Sequence, residues 1–292
     1  MKMRLLEIAL PLFSKICAAI LLLGIGGVVG FLLVNGYQSL DLQLIFGTTP
    51  PLSAILLKRQ VFDGLLPAII GTFTLILLSV CWAIPIGIAA GIYLAEYAHG
   101  KNRQILEFLF DVLAGLPSIV VGLCGFVITV LLNRALPGQI YPCLLISSVT
   151  LAFLVLPYII RTTQTALTGL PHPLRQTALA FGASKLQNTI RILLPQALPG
   201  IISGIILAIG RCAEDTAVIM LTGVVAAAGI PGSLLSNYEA LPFYIYYTAS
   251  QYADQKELAT AYGAAIILLT ICMLLFSLAV ITKKHINQCY RA

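Results

Sequence analysis

Six stretches of this chain run for about 20 residues or more without one Asp, Glu, Lys or Arg: 16–35, 64–95, 112–133, 135–160, 192–210 and 258–282. Each is as long as a helix needs to be to cross the hydrocarbon core of a bilayer. Backbone N–H and C=O groups find no water there, and a helix satisfies them within the segment. Charged residues make up only 10% of the chain, against about a quarter in soluble domains. The expected fold is therefore all-α and integral to a membrane, with six transmembrane helices. Run 64–95 fits one long tilted helix, with Pro67 near its start and Pro85 as a kink. A seventh span after Asp215 is interrupted by Gly229-Ile-Pro-Gly232.

An even number of spans puts both termini on one side, and basic residues orient them. On the side of the termini fall twelve: Lys2, Arg4, Lys15, Lys101, Arg103, Arg161, Arg175, Lys185, Arg191, Lys283, Lys284 and Arg291. Opposite fall four: Lys58, Arg59, Arg134 and Lys256. The expectation is a multi-pass protein of the cytoplasmic (inner) membrane with both termini in the cytoplasm. The net charge of +6 then reports orientation in the membrane and gives no reason to expect nucleic-acid binding. The run after Lys2 and Arg4 is too long for a signal-peptide core and reads as a retained first helix. The seven cysteines form no C-x-x-C pair and His99, His172 and His285 lack ligand spacing, so no metal is expected. No G-x-x-x-x-G-K-[ST] occurs, so any ATP and magnesium must bind a partner chain.

Between the fourth and fifth runs lies a polar stretch, about 161–198, whose middle reads Arg175-Gln176-Thr177-Ala178-Leu-Ala-Phe181-Gly182-Ala183-Ser184. Pro173 suits a first helical position, and Leu174, Ala178 and Phe181 then fall on one face. Gly182 is a natural stop, because a left-handed residue after a helix costs glycine little. Ser184 with Gln187 three residues on makes a capping box for a second short helix. Its expected stripe is Leu186, Ile190, Leu193 and Leu194, and Pro195 ends it or starts the next span. Two short helices meeting at a bend suit docking on something outside the membrane. The alternative is an interfacial loop helix with no partner.

Ala178-x-x-x-Gly182 followed by Leu194-Pro195 resembles the cytoplasmic coupling loop of binding-protein-dependent ABC importer permeases. That family's motif usually begins Glu-Ala-Ala, where this chain has Gln176-Thr177-Ala178. The resemblance implies a type I ABC importer permease fold, with Arg175, Gln176, Ala178, Gly182, Ala183, Leu194 and Pro195 engaging an ATPase. Upstream, Ile84-Pro-Ile-Gly87-Ile-Ala-Ala-Gly91-Ile-Tyr-Leu-Ala-Glu96-Tyr97 and Leu116-Pro117-Ser118-Ile119-Val120-Val121-Gly122-Leu123 resemble the A-type permease subunit of phosphate-specific importers. Read physically, Gly87 and Gly91 would let a neighbouring helix approach closely, and Pro117 would kink the third span.

The fifth span carries Gly210-Arg211-Cys-Ala-Glu214-Asp215-Thr216-Ala217. Charges within an apolar helix cost roughly 2.5–3.5 kcal/mol each on insertion scales. Spacings of three and four residues would let Arg211, Glu214 and Asp215 share one face. The phosphate permeases usually read Arg-x-x-Gly-Glu-Thr-Ala-Pro here. Alignment on Thr216-Ala217 places Arg211 on their arginine and Asp215 on their glutamate, while Glu214 replaces glycine. The resemblance implies a substrate path of Arg211, Asp215, Glu214 and Thr216. A guanidinium presents a planar fork to two phosphate oxygens, and a carboxylate favours an oxyanion that keeps a proton. A buried ion pair that only orients helices is the other reading.

Residues 1–62 read as the first helix with an external connection, and 63–292 as the permease domain. The external segment 223–257 is aromatic, with Tyr238, Phe243, Tyr244, Tyr246, Tyr247 and Tyr252, and should hold a short re-entrant or interfacial helix. The resemblance implies a phosphate-importing permease subunit with no nucleotide site of its own. It would work with a second, homologous permease subunit, an ATPase dimer, an external phosphate-binding protein and membrane lipid. Transport of another oxyanion, or an ATPase-independent channel or secondary carrier, remain the alternatives. The topology is tested by placing single cysteines at Gln187 and Asn237. A membrane-impermeant thiol reagent should label the first only from the cytoplasm and the second only from outside. Labelling of both from one face would contradict the six-span order.

Overall fold

The computed structural model describes residues 2–50, 64–135 and 141–289; Lys58, Arg59 and Arg291 of the orientation argument lie outside them. Among the described residues six helices are long and apolar enough to span: Leu10–Ser39, Leu66–Tyr97, Ser118–Ala135, Leu144–Thr168, Lys185–Glu214 and Gln255–Lys284. In chain order the helices are α1 (Lys2–Gly36), α2 (Leu42–Phe46), α3 (Leu66–Ile92) and α4 (Gly100–Ala114). Then follow α5 (Ser118–Ala135), α6 (Leu144–Thr168), α7 (His172–Ala180) and α8 (Lys185–Asn188). The series closes with α9 (Leu194–Glu214), α10 (Ala217–Thr222), α11 (Leu241–Gln251) and α12 (Gln255–Cys289). A π turn, Tyr93–Tyr97, extends α3, and another, Thr189–Leu193, joins α8 to α9.

Two spans start elsewhere than the charge-free runs suggest. The third run divides at Gly115-Leu116-Pro117, so Pro117 precedes α5 and breaks the chain there where a kink was expected. The residues before it form α4, an amphipathic helix whose polar groups bond to α6. The fourth span begins at Leu144 and carries on past Arg161 to Thr168. Arg161 is tolerated because its guanidinium bonds the Asp111 carboxylate, the Glu107 carbonyl and the Gln164 side chain. Glu107 accepts from Arg103 at 2.8 Å and Gln164 at 2.6 Å, and these bonds hold its carboxyl below the usual range.

Helix α6 is the centre of the bundle, with Leu151, Val155 and Ile159 fully buried. It lies against α3 and α9 closely enough that only glycine fits at the crossings. A Cβ on Gly87 would come within 2.7 Å of the Ile159 side chain, and one on Gly91 within 2.6 Å of Thr163. On the other side, a Cβ on Gly200 would meet Ala166 at 2.5 Å and one on Gly204 would meet the Thr162 hydroxyl at 1.8 Å. Small residues at helix crossings are how spans associate when lipid offers no hydrophobic drive. Helix α1, by contrast, exposes most of its apolar side chains and touches α12, where Phe31 and Tyr262 meet edge-to-face at 5.7 Å.

At the end of the bundle away from the elbow, residues 223–240 close over the first turn of α6. The carbonyls of Thr222, Ser236 and Leu234 accept from the N–H groups of Cys143, Leu144 and Leu145, which a helix start leaves unpaired. Tyr238 is fully buried and does not sit at headgroup level, while Tyr246, Tyr247 and Tyr252 are exposed. The expected short helix in this segment is α11. Glu239 is buried and its carboxylate accepts from Gly229 N–H at 2.8 Å. Burial pushes that carboxyl up, against the backbone N–H groups that favour its charge.

The crossings predict an asymmetric response to the smallest substitution. Gly204→Ala forces a methyl into Thr162 and should cost about 1–3 kcal/mol in overpacking, seen as a lowered Tm in detergent. Gly26→Ala, which meets nothing within 4 Å, should leave Tm unchanged.

Candidate functional site

The elbow takes the expected form. Gly182 stops α7 in the left-handed region at φ +82°, with Ala183 N–H bonding the Ala178 carbonyl at 3.0 Å. Gln187 N–H donates to Ser184 Oγ at 3.2 Å and Ser184 N–H to Gln187 Oε1 at 2.9 Å, completing the capping box. Leu194 and Pro195 begin α9, so the second short helix runs on into the span. The faces differ from expectation. Leu174, Ala178 and Leu193 turn inward, but Phe181 is 88% exposed, because the chain has already left the helix at that point. Leu186 and Ile190 also point outward, since the π turn rotates Leu193 away from their stripe. The loop therefore presents Leu179, Phe181, Leu186 and Ile190 to the outside, with Gln176 exposed and Ala183 half-buried.

Arg175 faces the other way. Its guanidinium pairs with Glu96 at 2.5 Å and donates to the Leu167 carbonyl. Asn188, buried, donates to the Arg175 carbonyl at 2.9 Å, and Lys185 lies 4.8 Å over the Tyr97 ring. Glu96 as this partner escaped the sequence reading. Its signal was an acid ending an apolar span on the same side as the loop.

The second cluster sits in a cleft of about 980 Å³ between α6, α9 and α12. Arg211 and Glu214 line it together with Tyr158, Thr162, Ser203 and Phe276. Tyr158 stands near the middle of the 25-residue α6, and Arg211 faces the same cleft from the last turn of α9. The Arg211 guanidinium pairs with Glu214, while its Nε is buried without a hydrogen-bond partner. Lys283 reaches in from α12 and donates to Ser203 Oγ at 2.7 Å. None of Tyr158, Thr162 or Ser203 was singled out beforehand, because only the crossing of helices brings them into one cleft with Arg211.

Asp215 does not join this face. Helix α9 ends at Glu214 and Asp215 is extended (φ −78°, ψ 116°), so the four-residue alignment with Arg211 is lost. Its buried carboxylate instead accepts from Val218 N–H at 2.9 Å and caps α10. Thr216 is half-buried in the same break, its carbonyl accepting from Met220 N–H at 3.0 Å. Glu214, the residue where the family has glycine, is the carboxylate that faces the cleft. Among the described residues no group of three His, Cys, Asp or Glu is placed to hold a metal.

A bundle of six apolar spans, with an arginine in a cleft between three helices and a capped elbow joining the fourth span to the fifth, is the architecture of a membrane permease. The chain belongs to the binding-protein-dependent transport system inner membrane component family, whose pattern it matches over residues 87–288. It is 32% identical to the phosphate transport system permease protein PstA of Haemophilus influenzae, over 84% of this chain and 83% of that one. Its identity to the PstA of Yersinia pestis is 33%, over 86% and 82%. The probable ABC transporter permease YqgI of Bacillus subtilis is 31% identical over 78% and 72%. Among solved structures, a bacterial alginate ABC importer matches with TM-score 0.61 at 17% identity, covering 94% of this chain and 99% of that one. The inward-facing methionine transporter MetNI matches with TM-score 0.56 at 18% identity, over 82% and 99%. The fold is that of type I ABC importer permeases.

The two acids should separate on substitution. Asp215→Ala removes a cap and should cost about 1 kcal/mol of stability, whereas Asp215→Asn keeps the acceptor and should not. Glu214→Ala removes only an exposed i,i+3 partner, worth well under about 1 kcal/mol. Thermal unfolding of the three variants in detergent checks this. A larger loss for Glu214→Ala than for Asp215→Ala would reverse the assignment.

Proposed function

We propose that this chain is a permease subunit of an ATP-driven importer that moves inorganic phosphate across the cytoplasmic membrane. The observation that carries it is Arg211, held within the fifth span in an open cleft with an unpaired Nε, with Tyr158, Thr162 and Ser203 among the cleft's other lining residues. A guanidinium keeps its charge in such a place and can take two oxygens of an oxyanion at once. The phosphate permease relatives, alike over more than four-fifths of the chain, favour phosphate as that oxyanion.

Glu214 completes the reading of the cleft. It pairs with the guanidinium and, at 62% exposure, is free to swing aside for an oxyanion. A carboxylate beside the site selects an oxyanion that still carries a proton, since it can only accept hydrogen bonds. Phosphate near neutral pH carries one and sulfate does not.

Energy enters from the cytoplasmic side. Leu179, Phe181, Leu186 and Ile190 form the face that a partner ATPase receives, with ATP and magnesium bound there and not by this chain. A second, homologous permease subunit completes the path, and an external phosphate-binding protein delivers substrate to the outer side. Closure of the ATPase dimer rocks the spans and alternates access to the cleft. Both termini lie in the cytoplasm.

In proteoliposomes holding the whole importer, Arg211→Ala should abolish phosphate uptake without loss of assembled complex. Arg211→Lys should cost at least about 10-fold, because a point charge lacks the planar fork. Glu214→Gly should transport at or above the parent rate. Recovery of uptake when Arg211 and Glu214 are both made neutral would reduce the pair to a helix-orienting contact.

A further inference from the structure

We propose that the Arg175–Glu96 ion pair is the strut through which the loop moves the spans, a reading that rests on the loop being the ATPase contact. A loop residue that met the ATPase directly would point outward, as Phe181 does. Arg175 points inward and holds three separate elements. Its guanidinium takes the carboxylate at the end of α3 and the Leu167 carbonyl at the end of α6. A cation at the last carbonyls of a helix is favoured by the helix dipole. Its own carbonyl takes the amide of the buried Asn188, which fixes α8. Both side chains of the pair are largely buried, at 21% and 9% exposed, so water screens the attraction little. Around it, Leu174, Leu193 and Leu194 of the elbow pack with Ile88, Ile92 and Ala95 at the foot of α3.

The path continues into the membrane. Gly87 and Gly91 lock α3 against Ile159 and Thr163 of α6, with no room for either helix to slide alone. One turn along α6, Thr162 fills the notch at Gly204 of α9 and, with Tyr158, lines the cleft beside Arg211. A push on the elbow is therefore delivered to α3 and α6 together, and from α6 to the cleft wall. Packed helices joined by discrete contacts carry coupling over such distances. Apolar contact alone would allow the elbow to tilt on the ends of α3 and α6, and the ion pair removes that freedom.

The test uses the complete importer in proteoliposomes, with three readouts: assembled complex, ATP hydrolysis stimulated by phosphate-loaded binding protein, and uptake. Glu96→Ala and Glu96→Arg should assemble at parent levels, while stimulation and uptake fall about 10-fold, within the range of coupling energies carried by such contacts. The reversed pair, Glu96→Arg with Arg175→Glu, should recover severalfold over either single change although the Leu167 bond is not rebuilt. Parent-level stimulation in Glu96→Ala would overturn the proposal. So would a loss of complex in proportion to uptake, or no recovery in the reversed pair. A separate variant, Phe181→Asp, addresses the underlying reading. Undiminished binding and stimulation of the ATPase there would show that the loop is not its contact, whatever Glu96 does.

Discussion

The close approach of α6 to α3 and α9 is the constraint from which the other features follow. In a bilayer the apolar faces of these helices gain nothing from leaving lipid for protein, so association depends on contact distance. Four glycines set that distance: Gly87 and Gly91 on one side, Gly200 and Gly204 on the other. The three helices then behave as one body. A core of Leu151, Val155 and Ile159 fills its centre, and polar side chains can be placed on its rim without leaving them dry. Arg211 is such a rim residue, on α9 but facing Tyr158 and Thr162 of α6. Without the tight crossing, a guanidinium at that depth would have no polar wall beside it.

How the chain manages charge inside the membrane follows a second rule. The charges stand where helices begin, end or break. Glu96 lies in the π turn that finishes α3, Arg161 in the last two turns of α6, and Glu214 and Asp215 at the stop of α9. Ends are where backbone groups lack partners, so a carboxylate or guanidinium there satisfies the backbone as well as its counter-ion. Asp215 takes the N–H of Val218, and Arg175 takes the carbonyl of Leu167. Breaks in spans are tolerated when such side chains re-satisfy the freed groups.

Much of this was legible from the residues. The six spans follow from charge-free length, and the elbow from Gly182, Ser184 and Gln187, because hydropathy, a left-handed glycine and a capping box are local physics. The failures share a cause as well. The fourth span was cut short at Arg161, since nothing local reveals that Asp111 and Glu107 are waiting to pair with it. Phe181 was set on one face with Leu174 and Ala178 because a helical wheel assumes a helix that had already ended. Asp215 was set beside Arg211 on the same assumption, four residues apart on a helix that stops between them. The partner of Arg175 lies 79 residues away and no periodicity points to it. Local rules reach as far as the next helix end, and tertiary partners decide the rest.

These two rules together underlie the proposed coupling of the elbow to the cleft. The elbow is anchored at the ends of α3 and α6, through Glu96 and the Leu167 carbonyl. The cleft is walled by the middle of α6, where the glycine crossings prevent bending relative to α3 and α9. On the proposed coupling, motion applied at the ends would arrive at the middle as displacement of a wall. At that wall the charges balance within one turn, Arg211 against Glu214, so the cleft carries no net charge from this pair. On the proposed function, an entering oxyanion would exchange one acceptor of the guanidinium for another. Transport needs binding that can be reversed when the walls move, and an exchange of acceptors meets that need better than a bare cation, which would hold the anion too tightly to release it.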